Sequence, residues 1–294
     1  KVIDADGSLL GIFSTDYFPR SSKRGGAWMT NFREQYVDAQ GKDVRPIVIN
    51  VCNMTAPTDS LPALFTIDEV ETVFHEFGHA LHGLLTKCHY PSVSGTNVAR
   101  DVVETFSQFN ENWAVQPEIL AEYAKHYDTG EAIPDSLVAK INNAGKFNQG
   151  FMTSELCAAS ILDMKWHELT EEDLAKLSEG DQAANVAEFE KKVCKEMGLI
   201  DEIIPRYRTT YFNHIFNSGY SAGYYSYLWA EVLDKDAFEY FQQQGIYNPE
   251  VALKFRQTFL EKGGSEEPMT LYLSFRGAQP DPGALLRARG LTEK

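Results

Sequence analysis

Phe74-His75-Glu76-Phe77-Gly78-His79-Ala80-Leu81-His82-Gly83 places two histidines four residues apart, with a glutamate directly after the first. On a helix such histidines lie about 40° apart around the axis and one turn along it, so both imidazoles can reach one ion. Glu76 projects about 100° from His75, beside the ion rather than onto it. That placement suits a general base acting on a metal-held water, the chemistry of the H-E-x-x-H pattern. Two neutral imidazoles and one oxygen donor suit a single Zn²⁺ ion with a fourth position left open for water.

The third ligand has several candidates. His82 sits two turns, roughly 10.5 Å, along from His75, too far for three imidazoles to share one tetrahedral ion. A carboxylate from another helix is the remaining source. The segment Asp101–Trp113 is such a helix, its apolar stripe made by Val102, Val103, Phe106, Phe109 and Trp113. Glu104, in its first turn, is the stronger candidate. Glu111, two turns further on, is expected to be solvated or to stand behind a ligand. The isolated His89, His126 and His167 read as structural.

The element that must carry the pair begins at Thr66-Ile-Asp-Glu69, a capping box with acidic residues favourably placed in the first turn. Val70, Val73, Phe74, Phe77, Leu81, Leu84 and Leu85 continue a 3.6-residue period to about Leu85. Residues 1–60 are the β-rich portion. Val2–Gly7 and Ser8–Tyr17 read as strands joined at an Asp-Gly turn, with further strands near Ala27–Phe32 and Pro46–Asn53. Residues 61–294 are mainly helical, with helices expected near Asp101–Val115, Pro117–His126, Ser136–Phe147, Glu155–Leu169, Ala183–Met197, Gly219–Gln243 and Pro249–Glu261. A small antiparallel sheet near the N-terminus followed by many helices is an α+β fold, predominantly α-helical.

Composition narrows the function classes. With 43% hydrophobic and 23% charged residues among 294, the chain can build a sizeable core. Its formal charge of −15 repels phosphate backbones, which argues against nucleic acid and anionic membranes as partners. No apolar run approaches the roughly 20 residues of a spanning helix. Cys52, Cys88, Cys157 and Cys194 form no CxxC pair and read as reduced thiols, which favours a reducing, cytoplasmic compartment. The first residue is Lys1 and opens in what reads as a strand, so the chain is expected to be part of a longer protein, and a leader could have preceded it.

His75-Glu-Phe-Gly-His-Ala-Leu-His-Gly83, Gly95-Thr-Asn-Val98 and Asp101-Val-Val-Glu104 together resemble the thimet oligopeptidase family of zinc metallopeptidases. Within it, His214-Ile-Phe-Asn-Ser-Gly-Tyr220-Ser-Ala-Gly-Tyr224-Tyr225-Ser-Tyr227 most resembles the bacterial dipeptidyl carboxypeptidase (peptidyl-dipeptidase) branch, the six-residue step from His214 to Tyr220 favouring it. The likeness runs from Asp16-Tyr-Phe-Pro-Arg20 to Leu285-Leu-Arg287; Glu266 and Ala278 depart from the family pattern. It implies a zincin-like catalytic domain and the C-terminal, catalytic half of a protein roughly twice as long, whose N-terminal half is missing here. It also implies zinc held by His75, His79 and Glu104, with Glu76 as the base.

The implied activity is hydrolysis of short peptides with release of C-terminal dipeptides. An endo-acting oligopeptidase of the same family and a non-catalytic zinc-binding fragment are the alternatives. In the expected helix from Gly219, Tyr220, Tyr224 and Tyr227 fall at steps of four and three, on one face. The resemblance makes Tyr220 and Tyr227 donors to the reaction's oxyanion, with His214 donating to substrate or intermediate. For Tyr224 and Tyr225 spacing alone does not choose between packing and catalysis. Arg20, Arg100 and Arg208 are candidate anchors for a substrate carboxylate, and the sequence singles out none of them.

Overall fold

A computed structural model describes residues 1–292. Its strands are β1 (Val2–Ile3), β2 (Leu9–Asp16), β3 (Trp28–Arg33), β4 (Tyr36–Val37), β5 (Asp43–Val44) and β6 (Ile47–Val51). The helices are α1 (Ile67–Leu85), α2 (Arg100–Ala114), α3 (Pro117–Tyr123), α4 (Asp135–Ala144), α5 (Gln149–His167), α6 (Glu171–Leu177), α7 (Gln182–Glu196), α8 (Asn213–Asn217), α9 (Ser226–Gln244), α10 (Pro249–Thr258), α11 (Pro268–Arg276) and α12 (Pro282–Ala288). The chain forms two compact units, one from Lys1–Ala144 with Ala230–Leu285, the other from Gly145–Trp229 with the described residues 286–292.

In the first unit the sheet order is β1-β2-β6-β3. The expected antiparallel sheet is in fact mixed. β6 pairs parallel with β2, Ile12 opposite Ile47, and antiparallel with β3, Thr30 opposite Ile49. The connection from β2 to β3 leaves a strand's width between them, and β6 enters that gap in the direction of β2. The β4–β5 hairpin is a further pair that the sequence reading missed.

Helix α1 lies on β2, β3 and β6, burying Ala80 and Leu84 against Val48, with Val2, Phe13 and Met29 around them. Its start is held from two directions. Thr66 accepts from the Glu69 N–H, while Glu69 accepts from the Thr66 N–H through one oxygen and from the Thr55 N–H and hydroxyl through the other. On its other side α1 packs against α2. A Cβ on Gly78 would stand 2.6 Å from both the Phe106 carbonyl oxygen and the Ser107 Cα, so only glycine permits this approach. Behind α2, Phe106, Phe109 and Trp113 join Phe241, Phe255 and Phe259 in an aromatic core, with Phe109 stacked on Phe255 at 4.5 Å.

The second unit contains α5 to α8 and the first turn of α9. Its core gathers Ala159, Phe212, Ile215 and Tyr224, with Leu156, Trp166, Tyr207 and Tyr227 against them. The helix expected from Gly219 begins instead at Ser226. Gly219 and Ala222 take left-handed φ angles of 83° and 50°, which no α-helix tolerates, so Tyr220 and Tyr224 sit in an irregular turn rather than on a helical stripe. His214 lies in the short helix α8, which the sequence pattern did not foresee. Helices α6, α11 and α12 also went unforeseen, since each spans only seven to nine residues and carries little periodicity.

Candidate metal centre

α1 and α2 bring His75, His79 and Glu104 together, with one ligand atom of each within 4.8 Å of the others. Glu104 Oε2 lies 3.2 Å from the Nε2 of His75 and 3.2 Å from the Nε2 of His79. Donors at 2.0–2.1 Å from a tetrahedral ion stand roughly 3.3 Å apart, so these separations fit a shared divalent ion with an open fourth position. The two rings are near-perpendicular, 85° apart with centroids 4.9 Å distant. Glu104 is 3% exposed and accepts a hydrogen bond from the Ser107 hydroxyl at 3.1 Å.

Glu111 lies outside the three-residue cluster. Its Oε1 accepts from His75 Nδ1 at 2.6 Å, which turns Nε2 toward the cluster and makes that nitrogen the one left for an ion. The sequence left Glu111 either solvated or behind a ligand; its side chain is a third exposed and bonded to His75. Asn110, one residue earlier, donates to the Phe74 carbonyl at 2.7 Å and ties α2 to the turn that bears His75. Ser107 and Asn110 escaped the sequence reading. Both lie on the α2 face that carries Glu104, and that shared face was the signal available.

Without an ion, burial dominates the electrostatics and the partners then override or temper it. Burial favours neutral His75, but its contacts with Glu104 and Glu111 carry it well above the ordinary histidine range. Burial likewise pushes Glu104 up, and the two histidines more than reverse it, holding the carboxylate well below 4.5. Glu76 behaves differently. Burial raises its pKa, and the charges on His75 and His79 only partly offset the rise. Its Oε2 is buried without a hydrogen-bond partner, so one basic oxygen is uncommitted within the site.

His82 stands outside the cluster, as expected. It is fully buried against Phe106 at 4.2 Å, and burial lowers its pKa to about 3. His214, Tyr220 and Tyr227 lie in the second unit, where the phenol rings of Tyr220 and Tyr227 stack at 5.4 Å and 12°. The His214 ring stands 6.0 Å from that of Tyr220. Tyr224 is a core residue, 4% exposed and packed on Phe212, whereas Tyr225 faces solvent. Arg20 is paired with Asp16 and Arg208 with Glu190, so neither offers a free cation. All four cysteines are free thiols, and no described helix is long and apolar enough to cross a membrane.

Residues 1–291 match the model of peptidase family M3. The dipeptidyl carboxypeptidase of Escherichia coli (strain K12) is 45% identical over 293 residues, and that of Salmonella typhimurium 44% over 292. Oligopeptidase A of Escherichia coli (strain K12) is 39% identical over 292 residues. Each alignment takes in 99% of this chain but only 41% or 42% of the relative, so the chain spans about two fifths of those proteins. With the paired histidines, the buried glutamate and a family match over nearly every residue, the chain belongs to peptidase family M3.

Proposed function

We propose that this chain is the catalytic segment, from the C-terminal half, of a longer zinc peptidase that removes dipeptides from the C-termini of short peptides. The observation that carries the reading is the His75, His79 and Glu104 cluster with the uncommitted Glu76 oxygen at its side. The likeness to dipeptidyl carboxypeptidases, at 45% and 44%, supports the exo-acting form over the endo-acting one.

Zinc bound by these three residues would act as a Lewis acid, easing deprotonation of a water and polarising the scissile carbonyl. Glu76 takes the water's proton as the oxygen attacks the carbonyl carbon, and delivers it to the amine as the C–N bond breaks. Its raised pKa brings it nearer the range in which one group both accepts and returns a proton. Glu111 holds the His75 tautomer throughout. His214, Tyr220 and Tyr227 are assigned hydrogen-bond donation to the oxyanion, a role supported by the motif they share and by the stacked phenols. Substrate is expected to lie extended along β3, the edge strand nearest α1, pairing through its main chain.

Two assays on the complete natural polypeptide test this reading. Metal analysis with Glu76→Gln should show zinc retained and turnover lost; near-normal turnover overturns the base assignment. An N-acylated tripeptide should be cleaved with a free C-terminus and spared when amidated. Equal cleavage of both supports the endo-acting oligopeptidase instead, a reading favoured by the 39% identity to oligopeptidase A. Bound zinc with no cleavage of either peptide would mark a non-catalytic zinc-binding protein.

A further inference from the structure

The turn that carries Tyr220 is irregular, and an irregular backbone leaves N–H groups that no helix or sheet satisfies. Two of them meet one side chain. Asp163, on α5 and fully buried, accepts from the Ala222 N–H through Oδ1 at 2.9 Å and from the Tyr224 N–H through Oδ2 at 2.8 Å. His167, one helical turn further along α5, brings Nδ1 to 2.9 Å from the same Oδ1 and to 2.9 Å from the Asp163 carbonyl. Those two acceptors put the proton on Nδ1, which donates to them, while the Ala222 N–H also reaches within 3.3 Å of that nitrogen. Ala222, the non-glycine residue of the turn held in a left-handed conformation, is one of the two whose N–H the carboxylate receives.

The other side of the turn is tied to α8. The Tyr220 N–H donates to the His214 carbonyl at 3.1 Å, and the Ser221 hydroxyl donates to the Ile215 carbonyl at 2.5 Å. The turn is thus clamped between α5 and α8, with the Tyr220 ring laid flat on Tyr227. A carboxylate alone fits the α5 side, because it offers an acceptor to both N–H groups and a third lone pair to His167. An asparagine there would turn an NH₂ toward one of the donors.

We propose that Asp163, oriented by His167, is a positioning residue that holds the Gly219–Tyr225 turn and through it aims the Tyr220 hydroxyl at the reaction's oxyanion. The proposal rests on the assignment of Tyr220 as a donor. Its effect should fall on turnover rather than on substrate or metal binding, because the oxyanion exists only along the reaction.

The test is a double-mutant cycle of Asp163→Asn and Tyr220→Phe in the complete natural polypeptide, reading kcat, KM and zinc content. Asp163→Asn should lower kcat about 10- to 100-fold, in the range seen for residues that orient a catalytic group, with KM within roughly threefold and zinc unchanged. In the Tyr220→Phe background it should cost less than about threefold, since the hydroxyl it aims is gone. The same loss in both backgrounds, or a wild-type kcat for Asp163→Asn beside an impaired Tyr220→Phe, overturns the brace and leaves the donor reading standing. Full activity in Tyr220→Phe removes the donor reading and the brace with it. Should Asp163→Asn fail to fold, His167→Gln carries the same cycle from a partly exposed position, with a smaller kcat loss of about three- to tenfold that vanishes beside Tyr220→Phe. An unchanged kcat for His167→Gln then overturns the proposal.

Discussion

The α1–α2 pair and the Gly219–Tyr225 turn solve one problem, holding a few polar groups in place, by opposite means. The histidines are set by helical spacing, and residues seven or fewer positions from Glu104 complete the support on α2. The turn has no repeat of its own. Two left-handed residues and a carboxylate 59 residues upstream of Ala222 give it shape. Local geometry of the first kind is readable one residue at a time; the second kind depends on a partner that only folding brings near.

The strongest way to break the first region is Glu76→Gln. It should lower kcat about 10²- to 10⁴-fold while zinc, measured by mass spectrometry, stays bound. A loss of zinc instead would make Glu76 structural.

Removing the metal exposes the next effect, a stability window. Glu104 is held below its ordinary 4.5, so its contribution is complete above that pH and lost as pH falls through the folded value. His75 is held above its ordinary 6.5, so its contribution is complete below that pH and lost as pH rises through the folded value. Both operate fully only between about pH 4.5 and 6.5. In chelator-stripped protein, Glu104→Gln should cost on the order of 3 kcal/mol within that window and less on either side. A stability difference that is flat with pH would contradict the pairing.

Glu111→Gln weakens the hold on His75 without removing a ligand. Zinc affinity, followed by competition with a chelator, should fall about 10- to 100-fold. An unchanged affinity would reduce Glu111 to a bystander.

Two small changes of opposite direction then sharpen the contrast. Gly78→Ala pushes a methyl into the α2 backbone and should cost about 1–3 kcal/mol in urea unfolding. Ala222→Gly takes a methyl out of a left-handed position and should be stabilising by under about 1 kcal/mol. If Gly78→Ala is neutral, the helices are not in the close contact described, and if Ala222→Gly destabilises, the turn carries no backbone strain.

These contrasts also mark what the sequence could tell. The Thr66–Leu85 helix, the paired imidazoles and Glu104 were legible because spacing of three, four and seven residues maps directly onto one helix face. The strands were legible as strands, but their order was not. Nothing in Leu9–Asp16 or Ile47–Val51 says that the two run parallel with β3 displaced by one place. Tyr220, Tyr224 and Tyr227 show the opposite failure. Their spacing mimics a helical stripe, while Gly219, Gly223 and the buried Asp163 favour a turn. Glu111 fell between, readable as a residue near the centre but not as the partner of Nδ1, since a tautomer is set by three-dimensional neighbours.

One small arrangement bears on how such a protein can change over time. Glu69 grips Thr55 and Thr66 at once, so both ends of the intervening segment are pinned to the first turn of α1. The span between them, largely exposed, is a loop whose length is decoupled from the His75, His79 and Glu104 cluster. Insertions there can sample new surface chemistry beside the first turn of α1, while the imidazoles about two turns away keep their aim.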